Sequence, residues 1–102
     1  MGFFDLAKQR YSVRAYKPDA VEDEKLKQVL SAGALAPTAC NLQPFRLVVV
    51  RTREHLDALK KLYSAPFFVQ APVVIGVYAD LGTAWVRRDG KSYADVEAAI
   101  VM

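Results

Sequence analysis

The ten residues Ala36-Pro37-Thr38-Ala39-Cys40-Asn41-Leu42-Gln43-Pro44-Phe45 constrain this chain more than any other stretch. A proline locks its own φ and biases the residue before it away from helix, so the segment is stiff at both ends. Strongly helical sequence precedes it and a strongly apolar run follows it. Between the prolines lie small residues and two side-chain amides, Asn41 and Gln43. A scaffold presents a ligand-contacting segment in this way. A helix stop followed by a strand start satisfies the same pattern, and composition alone does not separate the two readings.

The flanks are legible. Glu22, Asp23 and Glu24 put negative charge on a first helical turn, where the helix dipole favours it. Leu26, Val29, Leu30, Gly33 and Ala34 continue at i, i+3, i+4, which predicts a helix from Leu26 to Ala36. Gly33 makes one face thin, for a ligand or for close packing on a sheet. Arg46-Leu47-Val48-Val49-Val50 reads as a strand buried on both faces, and Pro72 to Tyr78 as a second. Thr52 caps a helix carrying Leu56, Leu59 and Leu62, with His55 off the stripe and solvated, and Ser64 to Pro66 breaks it. Asp80 to Gly90 is a polar excursion around Trp85, either a lid or a packed surface loop. Ser92 with Asp95 forms a capping box for a helix from Tyr93 to Met102. A short amphipathic helix carrying Phe3, Leu6 and Ala7 opens the chain. The closing helix is apolar and uncapped, which predicts a domain that continues or leans on another chain.

Several chemistries are disfavoured. With 53% hydrophobic and 25% charged residues in 102, a packed core is expected and general disorder is not. The net charge of +3 is weak evidence for nucleic acid. One cysteine and one histidine supply no zinc spacing and no disulfide, which fits a reducing compartment. Nothing argues that Cys40 meets His55 as a nucleophile pair. The opening residues, with Asp5 inside a short apolar patch, do not read as a signal peptide, and the longest apolar run, Ala71 to Ala79, is far short of the roughly 20 residues of a membrane helix. The expectation is a cytoplasmic, soluble protein. Gly-rich phosphate loops and carboxylate pairs on apolar stretches are absent, so any catalysis falls to a bound cofactor, with no catalytic side chain and no metal.

One anion site remains. Arg10, Ser12 and Arg14 alternate with Tyr11, Val13 and Ala15, and in extended chain this places two guanidiniums and a hydroxyl on one side. Forked guanidiniums fit a terminal phosphate. An exposed basic strand edge has the same pattern.

Taken together, Arg10-Tyr11-Ser12-Val13-Arg14-Ala15-Tyr16, the following helix, the stretch Ala36 to Phe45 and the Val-rich strand resemble the amino-terminal half of the FMN-dependent nitroreductase family. The resemblance extends over Pro72 to Ile75 and the helix after Ser92, so it covers residues 1–102 as one nitroreductase-like domain, incomplete at its carboxyl end. It implies an α+β fold, a three-layer αβα sandwich built as an intertwined homodimer with FMN at the interface. It assigns Arg10, Tyr11, Ser12 and Arg14 to cofactor binding, with Arg10, Ser12 and Arg14 at the phosphate end. Pro37, Thr38, Ala39, Asn41 and Gln43 approach the flavin, from the partner subunit. The implied reaction is a hydride relay from NAD(P)H through FMN to a small-molecule acceptor: a nitroaromatic, quinone or enone. Departures are Thr38 for a usual Ser, Phe45 for a usual Trp, and Cys40 at a usually small position.

The alternative is a non-catalytic module that binds phosphate-bearing ligands or nucleic acid through Arg10, Arg14, Arg87, Arg88 and Lys91, or a family member with a structural role only. Aromatic interleaving is sparse and no nucleic-acid motif is present, so neither nucleic acid nor a membrane is expected as a partner.

Overall fold

Two antiparallel strands organise the molecule. A computed structural model describes residues 1–102, and in it β1 (Phe45–Val50) pairs with β2 (Val74–Ala79), from Phe45 opposite Ala79 to Val50 opposite Val74. Both strands are rich in β-branched residues, which suit a pleated surface. Around them lie α1 (Phe3–Gln9), α2 (Asp23–Ala34), a 3-10 turn (Ala39–Asn41), α3 (Arg53–Lys60), α4 (Pro66–Gln70) and α5 (Ala94–Val101). The class is α+β, as expected. No helix is long and apolar enough to cross a membrane.

The core sits on one face of the sheet. α5 packs across both strands, and its buried residues Ala94, Glu97 and Val101 form a stripe at i, i+3, i+7. α2 closes the same side. A Cβ on Gly33 would lie 3.6 Å from Leu47 Cδ1 and 3.7 Å from Val101 Cγ1, so the thin face of this helix serves close packing. Filling is incomplete: a gap of about 210 Å³ remains between Val29, Leu30, Leu47, Ile75, Val77 and Val101.

The opposite face corrects the expectation of a strand buried on both sides. Arg46 and Val48 of β1 are exposed, and so is Tyr78 of β2. Alternation sends successive side chains to opposite faces, and this chain lays no helix over the Arg46–Val48–Tyr78 side. The Tyr78 ring lies along its own strand over Gly76, where an added Cβ would come within 2.8 Å of it.

Other boundaries differ in ways with local causes. α2 ends at Ala34, two residues short of Ala36, because Leu35 and Ala36 take up tighter turns onto Ala32 and Gly33 carbonyls before Pro37. Proline at the first helical position starts α4, a helix hidden in the sequence by the Ser64–Pro66 break. Thr52 does stand at the N-cap of α3, but its hydroxyl lies 2.9 Å from His55 Nδ1 and does not cap the backbone. α5 begins at Ala94, with Ser92 Oγ accepting the Ala94 N–H at 3.3 Å, so the Ser92–Asp95 box is not formed as expected. α1 buries nothing: Phe3, Phe4 and Leu6 are all exposed.

Candidate functional site

The stretch between the prolines is a strained, side-chain-pinned loop. Cys40, Asn41 and Gln43 have φ of 54°, 53° and 51°, the left-handed region, although none is glycine. Each such residue costs of order 1 kcal/mol, so the loop holds this shape only because its surroundings fix it. Three contacts do so. Thr38 Oγ1 accepts the Gln43 N–H at 3.0 Å. The Phe45 N–H closes a tight turn onto the Gln43 carbonyl at 2.9 Å. Glu97 Oε1, from α5, accepts the Ala39 N–H. Pro44 is buried, and its carbonyl receives the Asp80 N–H from the end of β2 at 2.7 Å. The loop is thus tied to its own ends, to the sheet and to the closing helix.

This arrangement directs Asn41 and Gln43 outward. Both are exposed, and neither side chain makes a hydrogen bond within the chain. Pro37 is exposed, while Thr38 and Ala39 are half-buried beneath the turn. Cys40 is exposed and free. His55 is engaged with Thr52 on α3, so no Cys-His pair is formed.

The basic comb is equally open. The chain leaves α1 in extended conformation at Arg10 (φ −64°, ψ 133°), and residues 10–16 have no regular structure. Arg10, Tyr11, Ser12 and Arg14 are exposed. Neither arginine is in an ion pair, although Arg51 pairs with Asp23 at 2.8 Å and Lys60 with Asp57 at 3.1 Å. The only side-chain hydrogen bond within residues 10–16 runs from Tyr16 Oη to the Val13 carbonyl at 3.1 Å. No hydrogen bond joins the comb to the Pro37–Gln43 loop, and the clefts beside Leu26, beside Val21 and beneath Val29 are lined by none of Arg10, Ser12, Arg14 and the loop residues. Each is presented separately on the surface.

The polar excursion is a packed hairpin. Val86 bridges to Ser92, Gly90 turns with φ 87°, and Trp85 packs edge-on to Tyr93 at 5.1 Å. Arg87 lies against the Tyr93 ring, donates to its hydroxyl and forks onto Asp89. The Arg87 guanidinium and the Lys91 N–H hold the Asp89 carboxyl below the usual carboxylate range. The Thr83 hydroxyl and the Gly82 N–H do the same for Asp80. Arg87 is therefore occupied internally and is not a free member of a basic patch.

Glu97 escaped the sequence reading. It reads as one more surface acid in the first turns of α5. The signal was its place at i+3 from Ala94 and i−4 from Val101, inside the apolar stripe.

Chemically, the comb offers two guanidiniums and a hydroxyl to an anion. The loop offers two unpaired amides at the tip of a rigid turn. Neither group contains an acid-base pair.

Comparison with known proteins gives a consistent result. The family model described as the nitroreductase family matches residues 7–65, which hold both the comb and the loop. A Thermus thermophilus protein named NADH dehydrogenase is 40% identical over 84 residues, covering 81% of this chain and 41% of its own length. A nitroreductase family protein from Clostridium difficile is 42% identical with a TM-score of 0.85, over 99% of this chain and 58% of that one. A Desulfovibrio desulfuricans protein, described as a nitroreductase and solved in complex with FMN, is 29% identical with a TM-score of 0.78, over 96% of this chain and 58% of that one. The chain thus spans about two fifths of the curated relative's length and under three fifths of the two solved chains.

Proposed function

The chain belongs to the nitroreductase family, and from that premise we propose that it binds FMN and serves as part of an NAD(P)H-dependent oxidoreductase. Residues 1–102 then form the amino-terminal part of one nitroreductase-like domain, and the working assembly is an intertwined homodimer. The acceptor belongs to the nitroaromatic, quinone or enone class. The single exposed thiol agrees with a reducing, cytoplasmic setting.

One observation carries the reading. Within the family match, donors suited to FMN stand unpaired at two open places, an alternating pair of arginines and a rigid loop that carries two amides. Arg10 and Arg14 have no carboxylate partner and fit a phosphate; Ser12 adds a hydroxyl, and Tyr11 flanks them with an exposed ring. Pro37, Thr38 and Ala39 form a stiff base, from which Asn41 and Gln43 offer amides suited to the hydrogen-bonding edge of a flavin. When bound, FMN supplies hydride transfer between the nicotinamide and the acceptor. The protein residues bind and orient; none is placed as nucleophile, acid or base.

The exposed apolar surface supports the dimer proposal. Phe3, Phe4, Leu6, Leu35, Leu62 and Leu81 all lie on the surface of the single chain, and apolar area of this kind is what an obligate partner covers.

The test is a visible spectrum of the purified protein and an FMN titration, followed by NADH and NADPH oxidation with a quinone. A yellow protein with saturable FMN binding is expected. A colourless protein that takes up no FMN overturns the reading for this chain.

A further inference from the structure

We propose that Glu97 is a positioning residue for the loop that presents Asn41 and Gln43. The inference rests on the FMN reading for its ligand, but its geometry stands independently. Glu97 is only 2% exposed and lies in the apolar stripe of α5. A carboxylate there is costly unless its oxygens are satisfied. One is: Oε1 accepts the Ala39 N–H across 58 residues of sequence. The other, Oε2, has no partner within the chain. A side chain buried at this cost for a single backbone hydrogen bond contributes little net stability, because an apolar residue of similar volume would pack there at least as well.

Its contribution is to the loop. Ala39 immediately precedes Cys40 and Asn41, the first two left-handed residues, and follows Thr38, whose hydroxyl holds the far end of the turn at Gln43. Anchoring the Ala39 N–H fixes where the left-handed pair begins, and hence where Asn41 projects. No other side chain of α5 hydrogen-bonds to the loop. Glu97 is therefore the point at which the closing helix sets the shape of the site.

Glu97→Leu and Glu97→Gln separate positioning from bulk stability. Leucine keeps the volume and removes the acceptor; glutamine keeps an acceptor oxygen. The readouts are thermal midpoint, amide hydrogen exchange over residues 38–43, and FMN affinity. Expected for Glu97→Leu is a midpoint equal to or above wild type, with exchange at Ala39 to Gln43 accelerated and FMN binding weakened roughly tenfold or more. Glu97→Gln should restore loop protection and bring FMN affinity within about threefold of wild type, as a retained acceptor predicts. Unchanged loop exchange in Glu97→Leu overturns the proposal whether or not FMN binds. If wild type binds no FMN, the functional reading fails, while the exchange data still decide the role of Glu97. Should Glu97→Leu fail to fold, Glu97→Met takes its place, and unchanged exchange at Ala39 to Gln43 in that variant overturns the proposal.

Discussion

Arg10 and Arg14 stand in a segment that gives them no carboxylate, and Asn41 and Gln43 in one that gives them no donor or acceptor. Polar groups left so open at two places contribute nothing to the stability of the chain alone, so their effect is read in binding. Arg14→Ala is expected to weaken FMN binding by roughly 1.5–3 kcal/mol, the range for a hydrogen bond to a charged group. Isothermal titration checks it, and unchanged affinity in Arg10→Ala, Arg14→Ala and the double variant refutes the phosphate assignment. Cys40 makes a different prediction. At φ 54° a glycine is at ease and a β-branched residue is not. Cys40→Val should therefore lower stability by about 1–2 kcal/mol while Cys40→Gly is tolerated, as a melting series would report. Residue identity made the comb and the amides visible in the sequence, because arginine, asparagine and glutamine declare their hydrogen-bonding capacity wherever they sit. It did not reveal the left-handed turn. That turn contains no glycine, and its anchors are Thr38, five residues from its partner, and Glu97, on another element.

Between elements, α2 faces β1 and α5 at Gly33 with room to spare for a methyl group. A methyl there would meet Leu47 and Val101 at ordinary van der Waals distance and border the 210 Å³ gap. Gly33→Ala should raise stability by up to about 1 kcal/mol through helix propensity and filling. A denaturant midpoint that falls instead would show the gap to be closed in solution. The hairpin of residues 85–93 is held by solvated charge. The folded-state carboxyl of Asp89 titrates lower than it would unfolded, so its contribution is complete above the ordinary aspartate range and lost as pH falls through the folded value. Trp85 fluorescence should be flat from neutral pH to about 4 and change below that. In Asp89→Asn the acid step should vanish, the Trp85–Tyr93 contact being already loosened at neutral pH. Helix periods and strand runs were readable here because apolar repeats directly reflect which face is buried. Which faces of β1 are covered was not: an apolar run is the same whether one layer or two will lie over it, and Arg46 at its start was the only hint.

At the scale of the whole molecule, the chain buries too little of itself. Its accessible surface is 8148 Å², against about 5,700 Å² for a compact monomer of this mass. Its radius of gyration is 16.0 Å, against about 13 Å. Only six of 102 residues are buried, so α1, the comb and the outer sheet face have surface to give to other polypeptide. The chain is expected to associate at micromolar concentration, with light scattering giving a mass above 11.3 kDa and an apolar dye binding weakly to the assembly. A monodisperse monomer that binds dye strongly would contradict the dimer proposal. Fold class was legible through the family that the comb, the Ala36–Phe45 stretch and the Val-rich strand together resemble, and element order alone gave only a sparse sheet. The looseness showed only in the apolar, uncharged run Ala98 to Met102, since hydrophobic content records how much can be buried and says nothing of which chain supplies the cover.

The two-stranded sheet carries one more consequence. With only β1 and β2, each strand has a neighbour on one side alone, and the other side is a row of unpaired backbone donors and acceptors. Leu47-Val48-Val49-Val50 on such an edge is a template for its own kind, and Arg46 and Arg51 bracket it as gatekeepers. Replacing both arginines with uncharged residues is expected to promote fibrillar aggregation, which an amyloid dye assay would read.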